Sequence, residues 1–179
     1  WVRSRTVPAE AIRDILRQRS GSPADPRGLR LRGARVSGRL DLNAVETDVR
    51  LELYDCYVPA GIVAHDAVLP GLVVRGCRLL HRDRPAFDAC GARVASLLDL
   101  RAATLVSSAH GGTVRLVGTR TGGSLECDGG TIRNDAGPAL TADGAYIGHN
   151  LFMRAGFLAT GVGESGTVRL LGAHVAGSM

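Results

Sequence analysis

Leucine pairs separated by a single residue recur at a fixed interval near the start of the chain. The triplets begin at positions 29, 40 and 51, and small or glycine-rich segments fill the gaps between them. A helical period of 3.6 is absent, and strict alternation of apolar and polar side chains lasts for only one triplet at a time. Short strands separated by turns at a fixed interval are typical of a β-solenoid, and the pattern predicts that fold.

The same spacing continues through the remaining sequence. It predicts strands that start at positions 29, 40, 51, 62, 72, 86, 97, 114, 125, 139, 151 and 168. Two steps make one coil, so we expect about six coils, each rising by about 4.8 Å along the solenoid. An internal duplication supports the period, because Gly112–Ser124 and Gly166–Ser178 are identical at most positions and lie two predicted coils apart.

Positions 1–27 are predicted to form a lead-in to this array. The segment 1–7 is expected to be irregular, and Pro8–Arg19 to form an amphipathic helix that ends before the glycine and prolines at positions 21, 23 and 26. We expect its apolar face to cover the open end of the first coil, with partner binding as the alternative. That face comprises Ile12, Ile15 and Leu16. The solenoid is predicted over 28–179, and to continue in a longer native chain, because no initiator Met is present and the last repeat is interrupted.

Composition narrows the functional classes. The chain is 45% hydrophobic but only 4% aromatic, which suits thin stacked layers of aliphatic side chains. All 22 basic residues are Arg, as in high-GC bacterial proteins, and the net charge of +5 is spread beside acidic residues. A solvated surface of mixed charge is therefore expected, without a nucleic-acid partner. No apolar run approaches about 18 residues and no signal peptide is evident, so we expect a cytoplasmic protein without a membrane span.

The distance along the chain from one predicted strand start to the next is longer at four places than elsewhere. All four lie between the first and second predicted strands of a coil, in successive coils. The four insertions should therefore stack along one edge of the solenoid, where repeat proteins often bind partners. The alternative is that loop length drifted and was duplicated with its coils. The candidate binding residues on this edge are His81, Arg82, Asp83, Arg84, His110, Arg133, Asn134, Asp135 and Glu164.

The cysteines and histidines indicate no catalytic or metal site. Cys56 and Cys77 lie one coil apart and are predicted to stack inward as reduced thiols, with a disulfide as the alternative. Cys127 replaces a core leucine, and Cys90 precedes a corner glycine and suggests no role. The histidines at positions 65, 81, 110, 149 and 174 share no repeat phase and form no three-ligand set, so we expect no metal and no cofactor.

Two further patterns bear on function. Gly161–Gly166 matches G-x-G-x-x-G but leads into a predicted strand, so a turn is expected there instead of a dinucleotide site. Glu52, Asp99 and Glu126 form a mild acidic stripe on one face, and Arg115 and Arg169 lie two coils apart on another.

The four-pentad coil resembles the pentapeptide-repeat proteins, which form right-handed quadrilateral β-helices. The segments GLRLRGARVSGRLDL, RNDAGPAL and GESGTVRLLGAHVAGS are similar to an uncharacterised high-GC bacterial family of pentapeptide-like proteins. Members of that family are often labelled oxidoreductase, sometimes membrane-associated. The resemblance covers positions 8–179 and implies an all-β, right-handed quadrilateral β-helix with one N-terminal capping helix.

These observations favour a non-catalytic scaffold or protein-interaction module. One alternative, implied by the better-known pentapeptide-repeat proteins, is a DNA mimic that protects a topoisomerase; it requires a strongly negative rod, which the charge of +5 opposes. Another is an oxidoreductase-labelled enzyme with its site on the stacked loop edge. We also predict homo-oligomers through the apolar end of the last coil.

Overall fold

The computed structural model of the protein describes residues 5–18, 25, 27–164 and 166–179. Parallel pairing connects all of its strands into the four sheets of a β-solenoid of six coils, with one short helix at the N-terminal end. The predicted fold class is therefore confirmed. In chain order, the elements are β1 (Thr6–Pro8), α1 (Ala9–Leu16), β2 (Leu29–Arg32), β3 (Arg35–Ser37), β4 (Leu40–Asp41), β5 (Leu51–Tyr54), β6 (Tyr57–Val58), β7 (Ile62–Val63), β8 (Val68–Leu69), β9 (Leu72–Arg75), β10 (Arg78–Leu80), β11 (Phe87–Asp88), β12 (Arg93–Val94), β13 (Leu98–Asp99), β14 (Thr104–Ser107), β15 (Val114–Arg115), β16 (Arg120–Thr121), β17 (Leu125–Glu126), β18 (Thr131–Asn134), β19 (Leu140–Thr141), β20 (Tyr146–Ile147), β21 (Leu151–Phe152), β22 (Leu158–Thr160), β23 (Val168–Arg169) and β24 (His174–Val175).

Four parallel sheets form the four sides of the solenoid. Sheet I contains β2, β5, β9, β13, β17 and β21, and sheet II contains β1, β3, β6, β10, β14, β18 and β22. Sheet III contains β4, β7, β11, β15, β19 and β23, and sheet IV contains β8, β12, β16, β20 and β24. In the first coil, Glu46 takes the place of a sheet IV strand and forms a single parallel bridge to Val68 of β8. The chain passes from sheet I through sheets II, III and IV and returns to sheet I one strand spacing further on.

The predicted strands belong to two of these four sides. Nine of the twelve predicted starts coincide with observed ones, and the strands expected at 86, 97 and 139 begin one residue later. All twelve lie in sheets I and III, where a large apolar residue begins each observed strand and a second apolar residue follows the outward one, as in Leu51–Leu53. In sheets II and IV the first inward residue is often small, as with Ala34, Cys77 and Ala67. Those strands therefore lack the leucine triplet and are not predicted from the hydrophobic pattern.

The core is a column of stacked aliphatic side chains. Leu51, Leu72, Leu98 and Leu125 occupy one register position of sheet I in successive coils, and each is at most 1% exposed. Phe87 is the largest fully buried side chain among the described residues. Burying each such leucine contributes roughly 1.5–3 kcal/mol, so the stacked column supplies the main stabilisation of the fold.

The N-terminal end of the column is covered, as predicted. Helix α1 buries Ala9, Ile12 and Leu16 against the first coil, and Arg13 Nη1 pairs with Asp41 Oδ2 at 3.2 Å. The expected irregular lead-in is corrected in part, since Thr6–Pro8 forms β1 and pairs with β3 at the edge of sheet II. Helix α1 ends at Leu16, before the predicted end at Arg19, because the following residues form a turn in which Gln18 has a φ of 54°. Arg19 itself and the breakers at positions 21, 23 and 26 lie outside the described residues.

Within the described residues, no helix is long and apolar enough to cross a membrane.

Candidate functional site

The inserted loops of coils 3 to 6 stack along one edge of the solenoid. Sheet I strands begin at positions 29, 51, 72, 98, 125 and 151, so the first two complete coils are short and the next three are longer. The extra length lies between sheets II and III, in loops 81–86, 108–113, 135–139 and 161–167. These four loops, with the strand ends that enter them, are called the loop edge below.

Hydrogen bonds connect each loop of the edge to the next. Ser108 N–H donates to Arg82 O at 2.8 Å, and Val162 N–H donates to Gly137 O at 3.0 Å. Between the second and third loops, the buried Asn134 side chain donates to Ala109 O and Pro138 O at 2.8 Å each, and accepts from Ala136 N–H at 2.9 Å. The loops therefore form a connected surface held by backbone groups.

Asn134 is thus a buried support of the loop edge instead of a surface contact. Its side chain is 2% exposed, and both of its polar atoms are used by the backbone of the edge. Arg133 and Asp135 on either side of it are exposed and pair with each other, Nε to Oδ1, at 2.9 Å. These three predicted site residues therefore differ in their availability to a ligand.

The first loop exposes two arginines. Arg82 and Arg84 are exposed, and in the described part of the chain neither has a carboxylate within salt-bridge distance. His81 is half-buried, and its Nδ1 accepts a hydrogen bond from Arg84 N–H at 3.2 Å. Burial, and then the positive charge of Arg39, lower the pKa of His81. Because Nδ1 accepts this hydrogen bond, it carries no proton and the ring is neutral. The neighbouring Asp83 side chain is exposed, and its Oδ1 lies 3.4 Å from Nδ1.

The last two loops border an open recess of about 340 Å³. Polar side chains from three places meet there: His110 from the second loop, Glu164 from the fourth, and Arg169 from β23. His110 Nδ1 lies 3.1 Å from Ala136 O and donates to it, while Arg169 pairs with Asp143. The recess thus combines acidic and basic walls, and two of its three polar side chains, His110 and Glu164, belong to the predicted set.

The glycine motif at positions 161–166 serves the stacking of the loops. A Cβ on Gly161 would lie 2.7 Å from Gly137 O, and one on Gly163 would lie 2.9 Å from Pro138 N, so neither site has room for a side chain. The motif leads directly into strand β23, and its Ser165 lies outside the described residues. The geometry agrees with a turn that permits close backbone approach and lacks the helix N-terminus that a pyrophosphate requires.

The predicted cysteine stack lies in the core. Cys56 N–H donates to Cys77 Sγ at 3.4 Å, and both residues are buried free thiols. The hydrogen bond with Cys56, followed by burial, raises the pKa of the Cys77 thiol. Cys127 is also buried, and burial raises its pKa to about 12. These three cysteines pack as small apolar residues.

The acidic stripe on sheet I is neutralised by arginines. Arg75 and Arg101 both contact Asp99 Oδ2, at 2.7 and 2.8 Å, and Arg101 also contacts Glu126 at 2.7 Å. Glu52 contacts Arg30 at 2.6 Å. Burial raises the pKa of Asp99 although Arg75 opposes this shift. This face therefore lacks the continuous negative charge that a DNA mimic displays.

Sheet IV carries a mixed apolar and basic row that the leucine pattern does not reveal. Val68, Arg93, Arg120, Tyr146 and His174 occupy one outward register position in successive coils. The Tyr146 and His174 rings stack with centroids 5.0 Å apart. Neither Arg93 nor Arg120 has a salt-bridge partner in the described residues. These two arginines can therefore serve as controls for the unpaired arginines of the loop edge.

Three potential metal ligands, which the repeat spacing keeps apart, come together in the folded chain. His65, Asp88 and Cys90 meet where sheet III turns into sheet IV, and their ligand atoms lie within 4.8 Å of one another. The predicted start of a strand at 86 places His65 opposite Ala89, whereas the observed register of β7 and β11 places it opposite Cys90. A one-residue error in the predicted register is therefore enough to prevent recognition of these three ligands from the sequence. Burial raises the pKa of Cys90 to about 11.

Comparisons of this chain with protein-family models, with curated protein sequences and with solved structures find no match to any of them.

Proposed function

We propose that this protein is a non-catalytic interaction module that binds a protein partner along the loop edge. The observation that carries the proposal is the recess between the third and fourth loops, where His110, Glu164 and Arg169 converge on a surface held by inter-loop hydrogen bonds. A rigid edge with polar anchors loses little conformational entropy when it binds a partner. The recess is open to solvent and suits an inserted side chain.

The charges of the loop edge indicate the chemistry of the partner. Arg82 and Arg84 are exposed at one end of the edge, without a salt-bridge partner in the described residues, and Arg39 adds positive charge nearby. Four stacked loops extend over about 14 Å, the length of four or five extended residues. We therefore infer an extended acidic segment of the partner, with its carboxylates against Arg82 and Arg84 and one side chain in the recess.

Placement of the chain among the pentapeptide-repeat-like proteins belongs to the same proposal. The four-sided parallel coil supports the resemblance. The pentad pattern is most regular in coils 1 and 2, which are the shortest. Membership of the high-GC bacterial family labelled oxidoreductase, and a cytoplasmic location, are parts of this proposal too.

The test combines photo-crosslinking with affinity measurement. A photoreactive amino acid is placed at Asp83 or Glu164, at the two ends of the loop edge, and at Val68 on sheet IV as a control. Both edge positions should trap the same protein from a lysate of the source cells, and the control should not. The trapped protein is then purified and titrated against the wild-type chain and its variants.

Two double variants decide which arginines matter. Arg82→Ala with Arg84→Ala should weaken partner binding by about tenfold and lower its salt dependence. Arg93→Ala with Arg120→Ala removes the same charge from sheet IV and should leave the affinity unchanged. A partner that crosslinks only from Val68, or that depends on Arg93 and Arg120 instead, would disprove the assignment of the loop edge.

A further inference from the structure

One corner of the solenoid brings together a histidine, an aspartate and a cysteine from two successive coils. Strand β7 precedes His65 by two residues, and β11 ends at Asp88, two residues before Cys90. Hydrogen bonds from Ala64 N–H to Asp88 O (2.7 Å) and from Asp66 N–H to Cys90 O (3.0 Å) fix the register of the two coils. The backbone therefore holds the three side chains on one side of the corner.

The distances among the three donors are close to those of a metal site. His65 Nε2 lies 3.0 Å from Asp88 Oδ2, and all three ligand atoms, including Cys90 Sγ, lie within 4.8 Å of one another. Around a tetrahedral zinc ion, ligand atoms are roughly 3.3–3.8 Å apart, given metal–ligand distances of about 2.0–2.3 Å. Small side-chain rotations would bring the three donors into this arrangement.

A second observation at the same place points to a ligand. His65 Nε2 is shielded from solvent, and its 3.0 Å contact with Asp88 Oδ2 is an ion pair that lies outside hydrogen-bond geometry. Buried polar atoms in folded proteins nearly always have a partner. A metal ion between the ring and the carboxylate would use the nitrogen lone pair.

Neighbouring groups orient these donors. His65 N–H donates to Asn43 Oδ1 at 2.9 Å, which ties its backbone to the preceding coil. Cys90 N–H donates to Asp88 Oδ1 at 3.4 Å, so the second carboxylate oxygen, Oδ2, faces the histidine. Asp88 itself is 3% exposed, which fixes its side chain among packed neighbours.

We propose that His65, Asp88 and Cys90 form a binding site for a divalent transition-metal ion of the Zn²⁺ type. One nitrogen, one oxygen and one sulfur donor suit this borderline ion, whereas Ca²⁺ and Mg²⁺ prefer sites made of oxygen atoms alone. Three protein ligands leave a fourth position for water or another ligand. This inference is independent of the proposed function, because the corner lies between sheets III and IV and the loop edge lies between sheets II and III.

Arg115 competes with the metal for the carboxylate. Its Nη1 lies 3.1 Å from Asp88 Oδ2, and its side chain is 34% exposed and can turn toward solvent. The guanidinium attracts the carboxylate while the metal is absent, and it competes with the metal for the same oxygen. Removal of this arginine should therefore strengthen metal binding.

The experiment uses the full 179-residue chain after treatment with a chelator. Calorimetric titration with Zn²⁺ should show one ion per chain, and Co²⁺ should produce the thiolate-to-metal absorption and the intense visible bands of a tetrahedral site. His65→Gln and Cys90→Ser should each weaken Zn²⁺ binding by about tenfold or more, since even outer-shell changes cost that much. Arg115→Gln should strengthen it by roughly two- to fivefold, as expected for loss of a competing ion pair between a partly exposed guanidinium and a buried carboxylate.

His149→Gln is the matched control, because His149 is an exposed histidine at a different corner, between sheets IV and I. Its affinity should equal that of the wild type. Zn²⁺ should also protect Cys90 from alkylation in the unaltered chain, a result that does not depend on folding of the Cys90→Ser variant. Absence of stoichiometric uptake, retention of the thiolate band in Cys90→Ser, or equal losses in His149→Gln and His65→Gln would each overturn the proposed site.

Discussion

Asn134 is a single polar residue that supports two neighbouring loops. Its amide donates to carbonyls of two neighbouring loops, Ala109 O in the second and Pro138 O in the third, and its oxygen accepts from Ala136 N–H. All three partners are backbone groups, which need hydrogen bonds when they are removed from water. At the residue scale, the shape of the loop edge thus depends on a side chain that a ligand would not contact.

Replacement of Asn134 by Ala should destabilise the protein by about 3 kcal/mol, because it removes three hydrogen bonds worth about 1 kcal/mol each and leaves Ala136 N–H without its acceptor. Urea denaturation followed by circular dichroism measures this change in the free energy of unfolding. Asp135→Ala is the control, since it removes only an exposed pair with Arg133 and should cost less than about 1 kcal/mol. Equal costs for the two variants would contradict the supporting role of Asn134.

Strands and corners of adjacent coils are connected by charged side chains as well as by backbone ladders. On the last two coils, Arg154 N–H donates to Asp128 Oδ1 at 2.7 Å, and its Nη2 donates to Oδ2 at 2.9 Å. The same guanidinium lies 4.0 Å from the centroid of the Phe152 ring. At the element scale, this arrangement joins the corner after β17 to the corner after β21.

The Asp128–Arg154 contact should make stability depend on acid pH. Hydrogen bonds from the Arg154 side chain and backbone lower the pKa of Asp128 in the folded protein. The stabilisation is therefore present above the unfolded pKa of about 3.9 and is lost as the pH falls through the folded pKa. The difference in unfolding free energy between wild type and Asp128→Asn should shrink on acidification, as measured by urea denaturation between pH 7 and pH 2.

Arg154→Gln provides the control for this pH dependence. In that background the Asp128→Asn change should have a smaller and less pH-dependent effect, because much of the interaction is already missing. An undiminished pH dependence in the Arg154→Gln background would show that another group is responsible.

The six coils share one core, which remains partly open at the last coil. Core-facing Leu170 and Val175 are only half-buried there, and they line a recess of about 350 Å³. Stacking buries such a face in every earlier coil. At the scale of the whole molecule, the end of the column is therefore a surface on which a further coil or a second copy can pack.

We expect the 179-residue chain to associate through this face, with a molar mass above that of the monomer in size-exclusion chromatography with light scattering. Leu170→Lys combined with Val175→Lys should restore the monomer, since it places charges on the apolar face. Leu171→Lys is the control, because Leu171 is 65% exposed already and its replacement should leave association unchanged. A monomeric wild type at all concentrations would disprove the expectation.

The repeat spacing predicts most of the architecture, and particular residues show where its information ends. Leu51, Leu72 and Leu98 are recognisable as inward positions because large apolar side chains flank one outward residue. Ala34 and Cys77 occupy equivalent inward places in sheet II but are small, so their strands are not visible in the hydrophobic pattern. The pattern identifies two sides of each coil, and the other two become visible only when the backbone is folded.

The site residues divide in a similar way. His110 and Glu164 are predicted on the loop edge and line its recess, because the positions of the insertions are readable from the strand spacing. Asn134 is predicted with them but is buried, since the direction of a loop side chain depends on the hydrogen bonds around it.

Periodicity along the chain is a local property, so the number of coils, the inward leucines and the edge that carries the insertions follow from the amino-acid order alone. Contacts between coils depend on register, and a shift of one residue changes every pair across two strands. For this reason only the folded chain places His65 opposite Cys90 and beside Asp88, pairs Asp99 with Arg75, and buries Asn134.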